Sequence, residues 1–149
     1  MYVKPTSSDK QLTVALAAFR ADLRRFLHYS ELAAEKAGLL PQQHQLLLQI
    51  AGAPADTLVT VAYIAERLQL QHNSAVELCK RCEAAGFLVR DKLKENRRYV
   101  ILQLTPSGKK MLARLSRDHA RELRLWAPEL IASLNKIVLF DGEFEGEIE

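Results

Sequence analysis

Between Thr60 and Gly108 the apolar residues change their spacing repeatedly, and that order leaves few folds open to the chain. Val61, Ile64, Ala65 and Leu68 recur at helical intervals behind Thr60, whose hydroxyl suits a helix N-cap. A polar break follows at Gln71-His72-Asn73-Ser74, where Asn73 and Ser74 suit a second N-terminus. Ala75, Leu78, Cys79, Cys82 and Ala85 then share one helical face. Gly86 stands where a glycine ends a helix. Phe87-Leu88-Val89 reads as a short strand. Arg90, Asp91, Lys92, Lys94, Glu95, Asn96, Arg97 and Arg98 form a polar segment without an apolar face, and Tyr99 to Leu104 resumes with aromatic and β-branched content. Thr105-Pro106 is a cap and first-turn pair for another helix.

Helix, helix, strand, basic loop, strand, helix predicts a mainly α fold with a small β wing, a winged helix-turn-helix. On its N-terminal side, Leu12, Leu16, Phe19, Leu23, Phe26 and Leu27 mark a long helix ending near Gly38. Pro41 opens a second helix carrying Leu46, Leu47 and Ile50, and Ala53-Pro54-Ala55-Asp56 is a loop. On the C-terminal side, Met111, Leu112, Leu115, Leu123 and Trp126 follow Pro106. Pro128 is expected to end that helix and start a last one with Leu130, Ile131, Leu134 and Val138.

A length of 149 residues, 48% hydrophobic, suits a single domain over 1–149, with a reading head at about 53–104, flanking helices at about 10–38 and 105–140, and an acidic tail at 141–149. The flanking apolar faces exceed what one small winged helix covers, so a homodimer is the expected way to bury them. Its two-fold axis would match a palindromic duplex.

Charge is distributed more tellingly than the net +3 suggests. From His72 to Lys110 there are nine Lys/Arg against four Asp/Glu, whereas Asp141 to Glu149 carries five acids and no base. A basic surplus on the head is the footprint of phosphate neutralisation. No apolar run approaches the roughly 18 residues of a membrane span and no signal-peptide core opens the chain, so a cytoplasmic protein without a membrane partner is expected. The two cysteines lie within one predicted helix, which is no secreted disulfide framework. Cys79 and Cys82 have the spacing of a metal pair without a second pair to complete a zinc site. No cofactor is expected, and the absence of a nucleophile-base motif or a glycine-rich phosphate loop points away from an enzyme.

The runs Ile64-Ala65-Glu66-Arg67-Leu68, His72-Asn73-Ser74-Ala75-Val76, Glu83 to Arg90, Glu95-Asn96-Arg97-Arg98 and Leu104 to Gly108 resemble the MarR family of bacterial transcriptional regulators. The resemblance covers most of the chain. It implies a dimer built by a long first helix and two C-terminal helices, with a winged helix in each subunit. It further implies a repressor that a small aromatic effector or an oxidant releases from DNA. Two positions depart from the family's habit: an acidic residue often stands where Asn96 is, bracing a wing arginine, and a basic residue where Glu77 is.

Candidate double-stranded DNA contacts follow from helical geometry. Positions 73, 77, 80, 81 and 84 lie opposite the stripe of 75, 78, 79 and 82 at about 100° per residue. Asn73 suits an adenine edge or a phosphate, Glu77 a cytosine amino group or an ion pair with Arg81, and Lys80 and Arg81 guanine or the backbone. His72 and Ser74 sit at the helix start, suited to phosphate. Lys92 and Lys94 are expected on the backbone. Arg97 and Arg98 are the wing candidates, with strand alternation expected to send one of them to the groove. The resemblance makes His28 and His44 candidate effector contacts. The alternative function is a winged-helix protein interaction module without specific DNA binding.

Overall fold

The computed structural model describes residues 4–140, so the acidic tail lies outside the described residues. Seven elements follow one another: α1 (Ser7–Lys36), α2 (Pro41–Ala51), α3 (Val61–Leu68), α4 (His72–Ala84), β1 (Leu88–Lys92), β2 (Val100–Leu104) and α5 (Pro106–Val138). Residues group into two compact units, one of residues 4–29 and 120–140, the other Ser30–His119.

In the second unit, local signals set the element ends. Thr60 accepts the Tyr63 N–H at its hydroxyl, 3.1 Å away, and so caps α3. Gly86 takes φ +84, and the Phe87 N–H closes on the Cys82 carbonyl at 3.0 Å, which satisfies the last turn of α4. Between α3 and α4 the chain turns through Gln69 at φ 52, a left-handed position that a non-glycine residue enters only when its surroundings demand it. That turn moves the start of α4 ahead of the expected one. The helix begins at His72, and Gln71 precedes it without a side-chain cap. Asn73 and Ser74 therefore sit inside the first turn as exposed side chains instead of capping it. Ala85, expected on the apolar face, is the exposed C-cap residue.

β1 and β2 pair antiparallel from Leu88↔Leu104 to Lys92↔Val100, and Val59 and Thr60 add a short bridge beside Ile101 and Leu102. The first strand thus extends past Val89 to take in Arg90, Asp91 and Lys92, which had read as part of the polar tip. An exposed hairpin strand tolerates them because its ladder is backbone-made and one face is wet. Leu46, Ile50, Ile64, Leu78, Cys79, Cys82, Leu88 and Leu102 form the core under α3, α4 and the wing. Ala34, Leu39, Leu47, Leu112 and Leu115 form a second cluster.

A polar group lies next to that second cluster. Ser30, His44 and His119 are all buried. His119 Nδ1 is 2.7 Å from the Leu115 carbonyl, which can only accept, so Nδ1 carries a proton; Nε2 lies 2.8 Å from the Ser30 hydroxyl. The His44 ring packs against it at 4.8 Å, and its own Nδ1 has no hydrogen-bond partner. Burial first, and the neighbouring His119 second, push His44 down to about 4 from 6.5. Because folding disfavours the charged form, this contribution to stability is complete above pH 6.5 and is lost as pH falls towards 4, to the extent of roughly 3 kcal/mol. Urea titrations at pH 7 and pH 4.5 should therefore show a larger acid loss in the wild type than in His44→Gln. Equal losses in the two proteins would refute it.

In the first unit, Thr6 and Asp9 cap α1 reciprocally. The Asp9 N–H donates to the Thr6 hydroxyl at 3.1 Å, and the Thr6 N–H donates to Asp9 Oδ2 at 2.8 Å. Trp126 is buried with its ring 5.7 Å from that of Phe26, and Arg25 lies over its face at 6.0 Å. Pro128, expected to split the C-terminal segment, lies inside α5, which runs unbroken to Val138. A proline removes one backbone donor and crowds the preceding turn, at a cost of about 3 kcal/mol in a helix interior. The helix continues past it, with Trp126 and Ser133 on either side both buried.

Candidate nucleic-acid interface

The helical repeat of α4 turns Ala75, Leu78, Cys79 and Cys82 into the core and leaves His72, Asn73, Ser74, Glu77, Lys80 and Arg81 exposed. Glu77 pairs with Lys80, Oε1 to Nζ 3.5 Å, one turn along the helix, rather than with Arg81 as the spacing had allowed. At the other end of α4, Glu83 holds the wing. Its carboxylate accepts the Arg90 backbone N–H at 3.1 Å, and Nε and Nη2 of the same residue at 3.2 and 3.0 Å. Hydrogen bonds from Arg90 keep Glu83 below the usual carboxylate range. Sequence reasoning gave Glu83 and Arg90 no role; their seven-residue separation spans a helix end and a strand start, which no single periodicity links.

The wing tip runs through residues 93–99. The Leu93 N–H donates to the Tyr99 carbonyl at 3.0 Å, and the Tyr99 N–H to the Asn96 carbonyl at 3.1 Å. Asn96 Oδ1 accepts the Arg98 backbone N–H at 3.1 Å, an Asx turn. Asn96 thus shapes the tip through the backbone of Arg98. Arg97 and Arg98 are both exposed in this turn and outside the strands, so the alternation rule does not choose between them. Lys92 ends β1 and Lys94 lies in the tip, both exposed.

No curated protein matches the sequence. Residues 37–98, which span α2, α3, α4, β1 and most of the tip, match the family model described as MarR family. Over that segment the chain is similar to the MarR family. Solved structures share its fold. A MarR family transcription regulator is 22% identical, with 87% of each chain covered and a TM-score of 0.73. AbsC, a MarR family transcriptional regulator from Streptomyces coelicolor, is 20% identical over 93% of this chain and 94% of its own, with a TM-score of 0.68. A MepR mutant from Staphylococcus aureus bound to an oligodeoxyribonucleotide is 18% identical over 80% and 92%, with a TM-score of 0.64.

Within this winged helix the cysteines are buried completely. Burial pushes Cys79 up to about 11 and Cys82 up to about 12, although Arg90, a cation not apparent from helical spacing, acts on Cys79 in the opposite sense. A thiol so protonated is a poor nucleophile towards peroxide. Replacing both cysteines with alanine is expected to cost about 1–3 kcal/mol of stability through lost packing, and to leave peroxide without effect on DNA affinity in either protein. Anisotropy titrations with and without peroxide check this; DNA release confined to the wild type would make one thiol a sensor. Of the candidate effector contacts, His28 is exposed in the first unit and His44 is buried in the second.

Proposed function

We propose that this protein is a homodimeric, sequence-specific DNA-binding regulator, acting in the cytoplasm as a repressor of its target genes. The observation that carries the reading is the pairing of two exposed polar surfaces by one ion pair. Glu83 and Arg90 fasten the Asn73-to-Arg81 face of α4 to a hairpin with Arg97 and Arg98 at its tip. A helix of this kind reads base edges in a major groove, while tip arginines reach phosphate or the neighbouring minor groove. The oligodeoxyribonucleotide bound by the similar MepR fold supports the same use. His72, Ser74, Lys92 and Lys94 then contact phosphates, and Asn73, Glu77, Lys80 and Arg81 face the bases.

Exposed apolar side chains in the first unit support the dimer. Leu125 and Val138 are 77% and 78% exposed, and Leu16, Ile131 and Leu134 are exposed as well. A second copy would cover them and give two heads for a palindromic operator. No helix among the described residues is long and apolar enough to cross a membrane. A small aromatic ligand or an oxidant is the proposed release signal, and the unpartnered Nδ1 of His44 in the second unit supports a polar ligand contact there.

Selection of bound duplexes from a random pool tests the function. A palindromic consensus, with affinity falling steeply in salt and a dimer by sedimentation, is the expected result. Binding without sequence preference would overturn it.

A further inference from the structure

The exposed face of α4 carries a feature that attraction to phosphates does not account for. Glu77 stands between Asn73 on one side and Lys80 and Arg81 on the other, all of them exposed. A carboxylate there opposes binding to any polyanion. Nor does it serve the fold. Its partner is Lys80 at 3.5 Å, with the two side chains 63% and 53% exposed, and ion pairs so open to water contribute little to stability. What the pair does change is the local charge. With Oε1 paired to Lys80, the carboxylate can approach a groove wall without a net negative charge, and Oε2 is left to accept from a base edge.

In the major groove a carboxylate finds donors only on the exocyclic amino groups of cytosine and adenine, and it is repelled by the O6 and N7 of guanine and the O4 of thymine. Adenine sets its amino group beside the N7 acceptor, a pattern that suits an amide. Cytosine offers N4 beside an apolar C5–H, which suits a lone carboxylate oxygen. Resting on the reading of α4 as the recognition helix, we infer that Glu77 is a specificity-determining residue that selects cytosine at one fixed position of each half-site. Lys80 neutralises it there. The selection works chiefly by penalty: at the wrong base Oε2 is desolvated without a donor to accept from.

The test repeats the random-duplex selection with wild type, Glu77→Ala, Glu77→Gln and Lys80→Ala, all at exposed positions where folding is checked by circular dichroism. The wild-type consensus should hold cytosine at a symmetric pair of positions, preferred on the order of tenfold over guanine or thymine. Glu77→Ala should lose that preference. It should also bind random duplex more tightly, with a salt slope steeper by up to about one ion per subunit as Lys80 is freed for phosphate. Glu77→Gln should move the preference to adenine. Lys80→Ala should keep cytosine and bind every sequence more weakly. An unchanged consensus in Glu77→Ala would overturn this inference alone. A wild type without any consensus would overturn both it and the sequence-specific reading on which it rests.

Discussion

Replacing Arg97 and Arg98 together with alanine is expected to weaken DNA binding about a hundredfold near 0.1 M salt and to flatten its salt dependence, with helicity and melting unchanged. The tip that carries them is closed by backbone bonds and by Asn96, none of which uses a guanidinium. Both side chains are exposed, so removing them leaves no cavity and no orphaned partner in the core. In a dimer the double substitution removes two cations from each head, and each phosphate no longer neutralised lowers the slope of log affinity against log salt by about 0.9. Fluorescence anisotropy across a salt series would measure both effects. Unchanged affinity at matched salt would remove the wing from the interface.

A second large effect is expected at Gly108. Alanine in a helix interior is normally better than glycine by about 1 kcal/mol, yet Gly108→Ala should destabilise the protein by roughly 3 kcal/mol or more. The reason is a backbone crossing. Gly108 is buried in the first turn of α5, and a Cβ there would collide with the Phe87 carbonyl oxygen and come within 3.0 Å of its carbonyl carbon. Neither side can yield cheaply. The Thr105 N–H donates to that same Phe87 carbonyl at 3.0 Å, and the Thr105 hydroxyl donates to the Gly86 carbonyl at 2.6 Å while accepting the Gly108 N–H at 3.1 Å. The start of α5 is thus locked to the junction of α4 and β1, so strain at Gly108 should also disturb the wing and DNA affinity. Ser107→Ala, one residue away and exposed, should stay within about 0.5 kcal/mol of the wild type. A stabilised Gly108→Ala in urea titrations would show that the crossing relaxes freely.

The features legible in the sequence alone are those whose causes lie within a few residues. Thr60 and Thr105 cap helices because their hydroxyls reach N–H groups three residues on, and Gly86 ends α4 because a left-handed residue is needed there. The stripe of Ala75, Leu78, Cys79 and Cys82 follows from the helical repeat, and with it the exposure of Asn73, Glu77, Lys80 and Arg81. Tertiary structure decided what local chemistry leaves open or resolves wrongly. Pro128 is a helix breaker by propensity, yet α5 runs through it, with Trp126 and Ser133 buried on either side. Arg90 read as one charge of a solvated tip until the fold set it against Glu83. Ser30 and His119 are 89 positions apart, and nothing in their neighbours foretells that they meet, beside a His44 that burial holds neutral. Gly108 carries no local mark of its constraint, because the carbonyl that requires a glycine belongs to Phe87, brought there by the pairing of β1 with β2. Caps and periodicity act through bonds a turn apart, which the order of residues specifies directly; ion pairs, buried polar groups and backbone crossings depend on distances that exist only after the chain has folded.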